Sequence, residues 1–217
     1  TSSGTVKKTP LQAFSRPLKS GIIALGLKED DHLIGVDITD GEQDVMLFTS
    51  AGKAIRFQES DVRAMGRNAC GVRGVKLGKG QHVISLIIGN DGDVMTVTEN
   101  GFGKRTPIEQ FPVKGRGTMG VLCLQITKAT GRVAAAVVGK AANSTTIDVL
   151  GTDGKRQRIS LRSIPIENRP NRGKKVIKVE QAAEIAVLDS LPRTPTNKVD
   201  RKALRARLLA KDGPDGG

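Results

Sequence analysis

The sequence contains no tyrosine and no tryptophan, and its aromatics stop at Phe14, Phe48, Phe57, Phe102 and Phe111. With no tyrosine, the chain has no tyrosyl nucleophile. With five phenylalanines spaced like core residues, it cannot offer the stacking platform on which single-stranded nucleic acids are usually read. The two histidines, His32 and His82, lie fifty residues apart and just ahead of apolar runs, where Arg132 and Glu184 stand further along. Such variation marks solvated strand starts rather than a metal site. Two cysteines, Cys70 and Cys123, are too few for a disulfide framework and read as two buried free thiols in a reducing compartment. No apolar run approaches the roughly 18–20 residues of a membrane span, and residues 1–20 show no secretory-signal pattern. No phosphate-binding loop, Cys-x-x-Cys pair or Ser/His/Asp order is present. These absences point to a cytoplasmic protein without catalytic, metal or cofactor chemistry of its own and without a membrane partner.

What the chain has in excess is positive charge and glycine. Its 217 residues carry 35 Lys+Arg against 22 Asp+Glu, a formal charge of +13, with 26 glycines. Residues 181–217 hold seven basic and five acidic residues, so +11 of the excess lies in residues 1–180. The basic character therefore belongs to the folded part, and it points to a polyanionic partner.

The glycines are periodic. SGTVKKT (3–9), AGKAIRF (51–57), NGFGKRT (100–106) and DGKRQRI (153–159) align on Gly4, Gly52, Gly101 and Gly154, with steps of 48, 49 and 53. A second series, Gly21, Gly71, Gly120 and Gly173, keeps step at 50, 49 and 53. Two landmarks in register over four units define an internal repeat. Within a unit, VMLFT (45–49) or VMTVT (94–98) runs into a turn, and a return strand follows, which is a hairpin signal. A third strand is expected over 71–77 or 120–126. A fourth, almost wholly apolar, is expected as the innermost strand over 83–88 or 133–138. Four strands per roughly 49 residues is the arithmetic of a propeller blade.

The fold class expected is all-β: a propeller-like disc of about four four-stranded units, near 1–38, 39–88, 89–138 and 139–189. The chain enters the first unit part-way through a hairpin. The fourth is degenerate around Ala141, Ala142 and Asn143, and periodicity fades near residue 180. Residues 181–217 read as a tail with a short helix over 199–210.

The cations follow the repeat. Lys8, Arg56, Arg105 and Arg158 stand four residues after each hairpin glycine; Lys7 and Lys104 precede them, and Lys53 and Lys155 directly follow the glycine. The loops ahead of the second glycine hold Arg16, Lys19, Arg63, Arg67, Lys114, Arg116, Arg169 and Arg172, and Arg73 lies just beyond one. Equivalent positions in a repeat occupy equivalent places, so a band of charge along one rim is expected. Edge-strand protection by Lys and Arg explains some of these residues, but it leaves the net excess unexplained. A curved cationic rim without stacking residues suits duplex backbone, held through phosphates without base readout. A propeller-type protein-interaction scaffold is the alternative.

Several segments resemble a known family. TVKKTPLQAFSRP (5–17) with GIIAL (21–25), FTSAGKAIRF (48–57), VRAMGR (62–67) with GVRG (71–74), and TENGFGKRT (98–106) look like the C-terminal domain of the bacterial DNA gyrase A protein. The likeness covers residues 1–140 closely and 141–179 loosely. It implies a β-pinwheel, a disc of hairpin-exchanged blades that wraps duplex DNA around its basic rim and serves ATP-dependent strand passage and supercoiling. The implied partners are the rest of the topoisomerase A chain together with the ATPase B chain. The resemblance also implies ATP and Mg2+ for the parent enzyme and no cofactor for this domain. Localisation would be cytoplasmic, at the nucleoid. The family's Gln-Arg-Arg-Gly-Gly-x-Gly signature is not in the chain, and one to two blades of the full disc are expected to be missing, leaving an arc. The paralogous topoisomerase IV A chain, with a shorter or broken version used in substrate selection, is the related alternative. Separately, LPRTPTNKVDRKAL (191–204) is similar to the C-terminal lysine motif of acyl-adenylating enzymes, with Lys198 at the lysine and Asn197 replacing the usual glycine. No adenylation domain accompanies it, so no chemistry is assigned there.

Overall fold

The computed structural model describes residues 1–139, 146–152, 155–178 and 182–187. The helix expected over 199–210, the Lys198 motif, the irregular Ala141–Asn143 and the turn at Gly154 lie outside the described residues. The chain is all-β, with short 3-10 turns between strands. In order the strands are β1 (Thr5–Val6), β2 (Asp44–Thr49), β3 (Lys53–Gln58), β4 (Val72–Arg73), β5 (Val83–Ile88), β6 (Asp93–Thr98) and β7 (Phe102–Pro107). Then come β8 (Val121–Leu122), β9 (Val133–Gly139), β10 (Thr146–Gly151), β11 (Arg156–Ser160), β12 (Lys174–Lys175) and β13 (Ala182–Val187).

Each full sheet is a hairpin with one strand added on either side. The orders are β5-β2-β3-β8 and β12-β7-β6-β9, with a three-stranded β11-β10-β13 and a two-stranded β1-β4. All these pairs are antiparallel. The inner strands β5, β9 and β13 lie alongside one another. Outer strands are exchanged from the next unit, because β4 pairs β1, β8 pairs β3 and β12 pairs β7. This exchange corrects the third strand of the repeat. It belongs to the preceding hairpin, and only two residues pair where seven were expected. Beyond them Val75, Leu124 and Ile177 turn into the core, each at most 2% exposed. The sheets also reach past residue 180, since β13 registers on β10 from Ile147↔Val187 to Gly151↔Ala182.

The central strands β2 and β6 bury apolar residues on both faces because their sheets are packed on both sides. Val45 and Leu47 of β2 join Ile55, Phe57, Val62, Val75 and Val83 on one side. Met46 and Phe48 join Ala54, Val94, Ile108, Phe111 and Leu124 on the other. Phe48 and Phe111 meet edge to face at 5.9 Å between ring centres. A third cluster, around Met95, Val97, Ile147, Val149 and Leu161, fills the next gap. Burying each of these larger side chains is worth about 1.5–3 kcal/mol. Phe48, Phe57 and Phe111 are thus core residues, which removes them as stacking surfaces.

The two glycine series keep step because Gly4, Gly52 and Gly101 of one and Gly71, Gly120 and Gly173 of the other all sit at inter-unit contacts. Gly52 is left-handed (φ +75), and a Cβ there would lie 2.3 Å from the Leu124 carbonyl oxygen. Its own carbonyl accepts the amides of Cys123 and Leu124 at 2.8 and 3.1 Å. Gly120 (φ +70) leaves the same 2.3 Å to the Ala54 oxygen. Only glycine fits such approaches.

The first unit is incomplete. Its hairpin holds one strand, β1, and among the described residues no strand pairs with 33–38, which corresponds to β5. Val36 is accordingly 83% and Ile38 71% exposed. Cys70 is exposed, contrary to the expectation of two buried thiols, because it sits in the loop before β4. Cys123 is buried, and that burial pushes its thiol up to about 12.

Candidate nucleic-acid interface

The cations fall into two groups that sequence periodicity does not separate. The first faces inward. Arg56 sits on β3 with its side chain 10% exposed; Nη2 lies 2.7 Å from Asp44 Oδ2, and Nε donates to the same oxygen at 2.7 Å. Its Nη1 donates to Ile108 O at 2.8 Å, in the 3-10 turn of the next unit. Arg105 repeats this on β7: 8% exposed, Nη1 to Asp93 Oδ2 at 2.7 Å, and Nε to Ile164 O at 2.9 Å. Lys8 gives the same forward reach, donating to Glu59 O at 2.9 Å with Glu59 Oε2 3.9 Å away.

These residues latch one unit to the next, and parallel bridges run beside them at Lys8↔Ala64, Arg56↔Val113 and Arg105↔Ile166. Lys104 is fully buried and donates to Asn168 O at 2.9 Å, and burial lowers its pKa. Lys7 donates to Ala24 O at 2.6 Å and to Arg67 O, and burial and Arg67 lower its pKa. The expectation that Arg56, Arg105 and Lys104 lie on an open rim is therefore corrected. The repeat fixes where around the disc a residue falls but says nothing of its depth. The missed signal was Asp44 and Asp93, each twelve residues ahead of its arginine.

Arg158, at the equivalent place on β11, faces outward. Thr146 stands where Asp44 and Asp93 do, so Arg158 pairs instead with the directly opposite Asp148, at 2.8 and 3.0 Å. That carboxylate raises the guanidinium pKa. Asp148 also lies 3.8 Å from Arg156, so one carboxylate is shared between two exposed arginines.

The second group lies on the perimeter. The loops 59–71, 108–120 and 161–173 each leave a hairpin and return to the outer edge of the preceding sheet, so they run from unit to unit along the outside. They carry Arg63, Lys114, Arg116 and Arg172, all exposed, and the half-buried Arg67 and Arg169. Arg16 and Lys19 are exposed in the matching stretch of the first unit, Arg73 is exposed on β4, and Lys155 is exposed ahead of β11. Lys53 is half-buried beside a hairpin turn. Lys174 and Lys175 make up exposed β12, the counterpart of β4, and were missed. Their signal was position, since they follow Gly173 as Arg73 follows Gly71. His32 and His82 are exposed, and their carbonyls accept the Ser2 and Ser50 amides at 2.8 and 2.9 Å. Among the described residues no three His, Cys, Asp or Glu side chains gather as a metal site, and no helix is long and apolar enough to cross a membrane.

The sequence profile of the DNA gyrase C-terminal domain, beta-propeller, matches residues 1–40, 43–90 and 92–139. The DNA gyrase A protein of Klebsiella oxytoca is 44% identical over 189 residues, covering 87% of this chain and 21% of that protein. Its Pseudomonas aeruginosa counterpart is 48% identical over 180 residues, 82% of this chain and 19% of its own length. The chain thus spans about a fifth of these relatives. Among solved structures, the C-terminal domain of DNA topoisomerase IV superposes with a TM-score of 0.80 at 27% identity, over 98% of this chain and 65% of that one. A DNA gyrase A C-terminal domain gives 0.76 at 23% identity, over 86% and 63%, and supports the fold. Exchanged hairpins, periodic glycines and profile agree: the chain belongs to the family of DNA gyrase A C-terminal domains.

Proposed function

We propose that this chain binds duplex DNA without sequence preference along its outer perimeter, as the wrapping element of a gyrase-type topoisomerase. The observation that carries this reading is the exposed, unit-by-unit placement of Arg63, Arg73, Lys114, Arg116, Arg172, Lys174 and Lys175 on perimeter loops and outer strands. Such a surface favours phosphates through counterion release. Bending a stiff duplex costs several kcal/mol over a short site, so many contacts in series must act together. The burial of three of the five phenylalanines argues against base stacking as the mode of binding.

The chain has no tyrosine, so strand cleavage belongs to the remainder of the gyrase A protein. ATP hydrolysis with Mg2+ belongs to the gyrase B protein, and this domain uses no cofactor of its own. Titration of the full chain against a mixed-sequence duplex at low and high salt tests the reading. Tight binding that weakens steeply with salt is expected. Weak binding with little salt dependence would point instead to a protein-interaction scaffold. The likeness to the topoisomerase IV domain favours a second reading, substrate selection without full wrapping. A supercoiling assay of the assembled enzyme separates the two.

A further inference from the structure

Resting on the duplex-binding reading, the structure assigns a particular role to Arg67, Arg116 and Arg169, each four residues ahead of a second-series glycine. We propose that these three hold duplex phosphates at the joints between units, so that DNA binding and the geometry of the joints tighten together.

The three make one repeated contact. Arg67 Nη1 donates to Ile23 O at 2.8 Å, Arg116 Nη1 to Arg73 O at 2.9 Å and Arg169 Nη1 to Leu122 O at 3.0 Å. Each acceptor is the second residue after the preceding unit's glycine, so the bond ties the perimeter loop of one unit to β4 at Arg73, to β8 at Leu122 and to the equivalent strandless segment at Ile23. Arg116 and Arg169 add a second tie from Nε, to Asp61 O at 2.9 Å and to Gln110 O at 2.7 Å, again equivalent positions. The Arg169 guanidinium also lies 5.6 Å from the centre of the Phe111 ring.

What separates these arginines from the latches is charge. The latches Arg56 and Arg105 face Asp44 and Asp93. Among the described residues no ion pair forms at Arg67, Arg116 or Arg169. Carbonyl acceptors orient a guanidinium but leave its full charge. With Nε and Nη1 fixed on carbonyls, the remaining edge of Arg116 or Arg169, at Nη2, is held in one direction for a phosphate oxygen. A phosphate there holds the guanidinium in the same orientation that its carbonyl bonds need, so the side chain is ordered once for both the joint and the DNA. The joint bonds alongside, Gly117 N to Gly74 O at 2.6 Å, Lys76 N to Thr118 O at 2.9 Å and Gln125 N to Pro170 O at 2.8 Å, report on joint opening.

Lysine keeps the charge but cannot make this forked contact, so Arg→Lys is the discriminating substitution. The full chain is titrated with a mixed-sequence linear duplex as wild type, Arg116→Lys, Arg169→Lys and, as control, Arg132→Lys at an exposed position outside the perimeter loops, with amide exchange followed with and without DNA. Arg116→Lys and Arg169→Lys are expected to bind about tenfold more weakly, and Arg132→Lys to match wild type. DNA is expected to slow exchange at Lys76, Gly117 and Gln125 in wild type, and at Gln125 no longer in Arg169→Lys. Salt-dependent wild-type binding that both Arg→Lys variants retain, with joint exchange unmoved by DNA, overturns the joint role alone. No salt-dependent duplex binding by wild type overturns the functional reading itself. Should Arg116→Lys lose protection in β2 and β6, the equivalent Arg67→Lys takes its place.

Discussion

At Arg56 the chain buries a guanidinium against Asp44 and turns its remaining N–H groups to the next unit. Breaking a buried pair by removing one partner leaves the other charge uncompensated, which costs about 3–5 kcal/mol. Arg56→Ala is therefore expected to lower stability to chemical denaturation by that order while leaving the salt slope of duplex binding by folded protein nearly unchanged. A full-sized loss of slope with intact stability would return Arg56 to the interface. Glu59, 3% exposed, gives a pH-dependent counterpart. Burial pushes its carboxyl up, but bonds from Thr39 Oγ1 at 2.5 Å, Gln43 N at 2.9 Å and Gly41 N at 2.8 Å, with Lys8 nearby, outweigh it and hold the pKa below the usual carboxylate range. A depressed folded-state pKa contributes stability above the unfolded value and loses it as pH falls through the folded one. Glu59→Gln should thus destabilise by about 1–3 kcal/mol at neutral pH. Unfolding curves of the two proteins should converge below about pH 4; a constant gap would contradict the pinned carboxylate.

At the scale of elements, the glycines hold the units together. Gly120→Ala forces a left-handed alanine whose Cβ meets the Ala54 oxygen at 2.3 Å. The conformation alone costs about 1–3 kcal/mol, and the clash adds to it. A thermal midpoint unchanged by Gly120→Ala would contradict the exchanged β8–β3 contact. This is also where the sequence was most legible. The glycine steps marked the repeat, and the apolar runs marked β2, β5, β6 and β9. The exchange was visible only through family resemblance. A two-residue strand such as β8 has no pattern of its own, and its partner is chosen by packing. The cations were half legible: periodicity found them, but depth depends on whether an acid such as Asp44 or Asp93 waits across the hairpin. Lys174 and Lys175 follow Gly173 as Arg73 follows Gly71, but the fourth unit keeps the repeat only loosely, which hid the match.

For the whole molecule, the latches and the perimeter divide the positive charge. Arg56 and Arg105 hold unit to unit inside, and the exposed loop cations are left to act outward. The division makes the excess of basic residues a surface property of the curved edge rather than a by-product of folding. The salt dependence of duplex binding tests this most directly. For the full chain, log affinity should fall linearly with log salt, and Lys114→Ala and Arg172→Ala should each reduce the slope by about 0.9, as expected for one lost phosphate contact. A slope near zero, or one that neither substitution changes, would contradict the account.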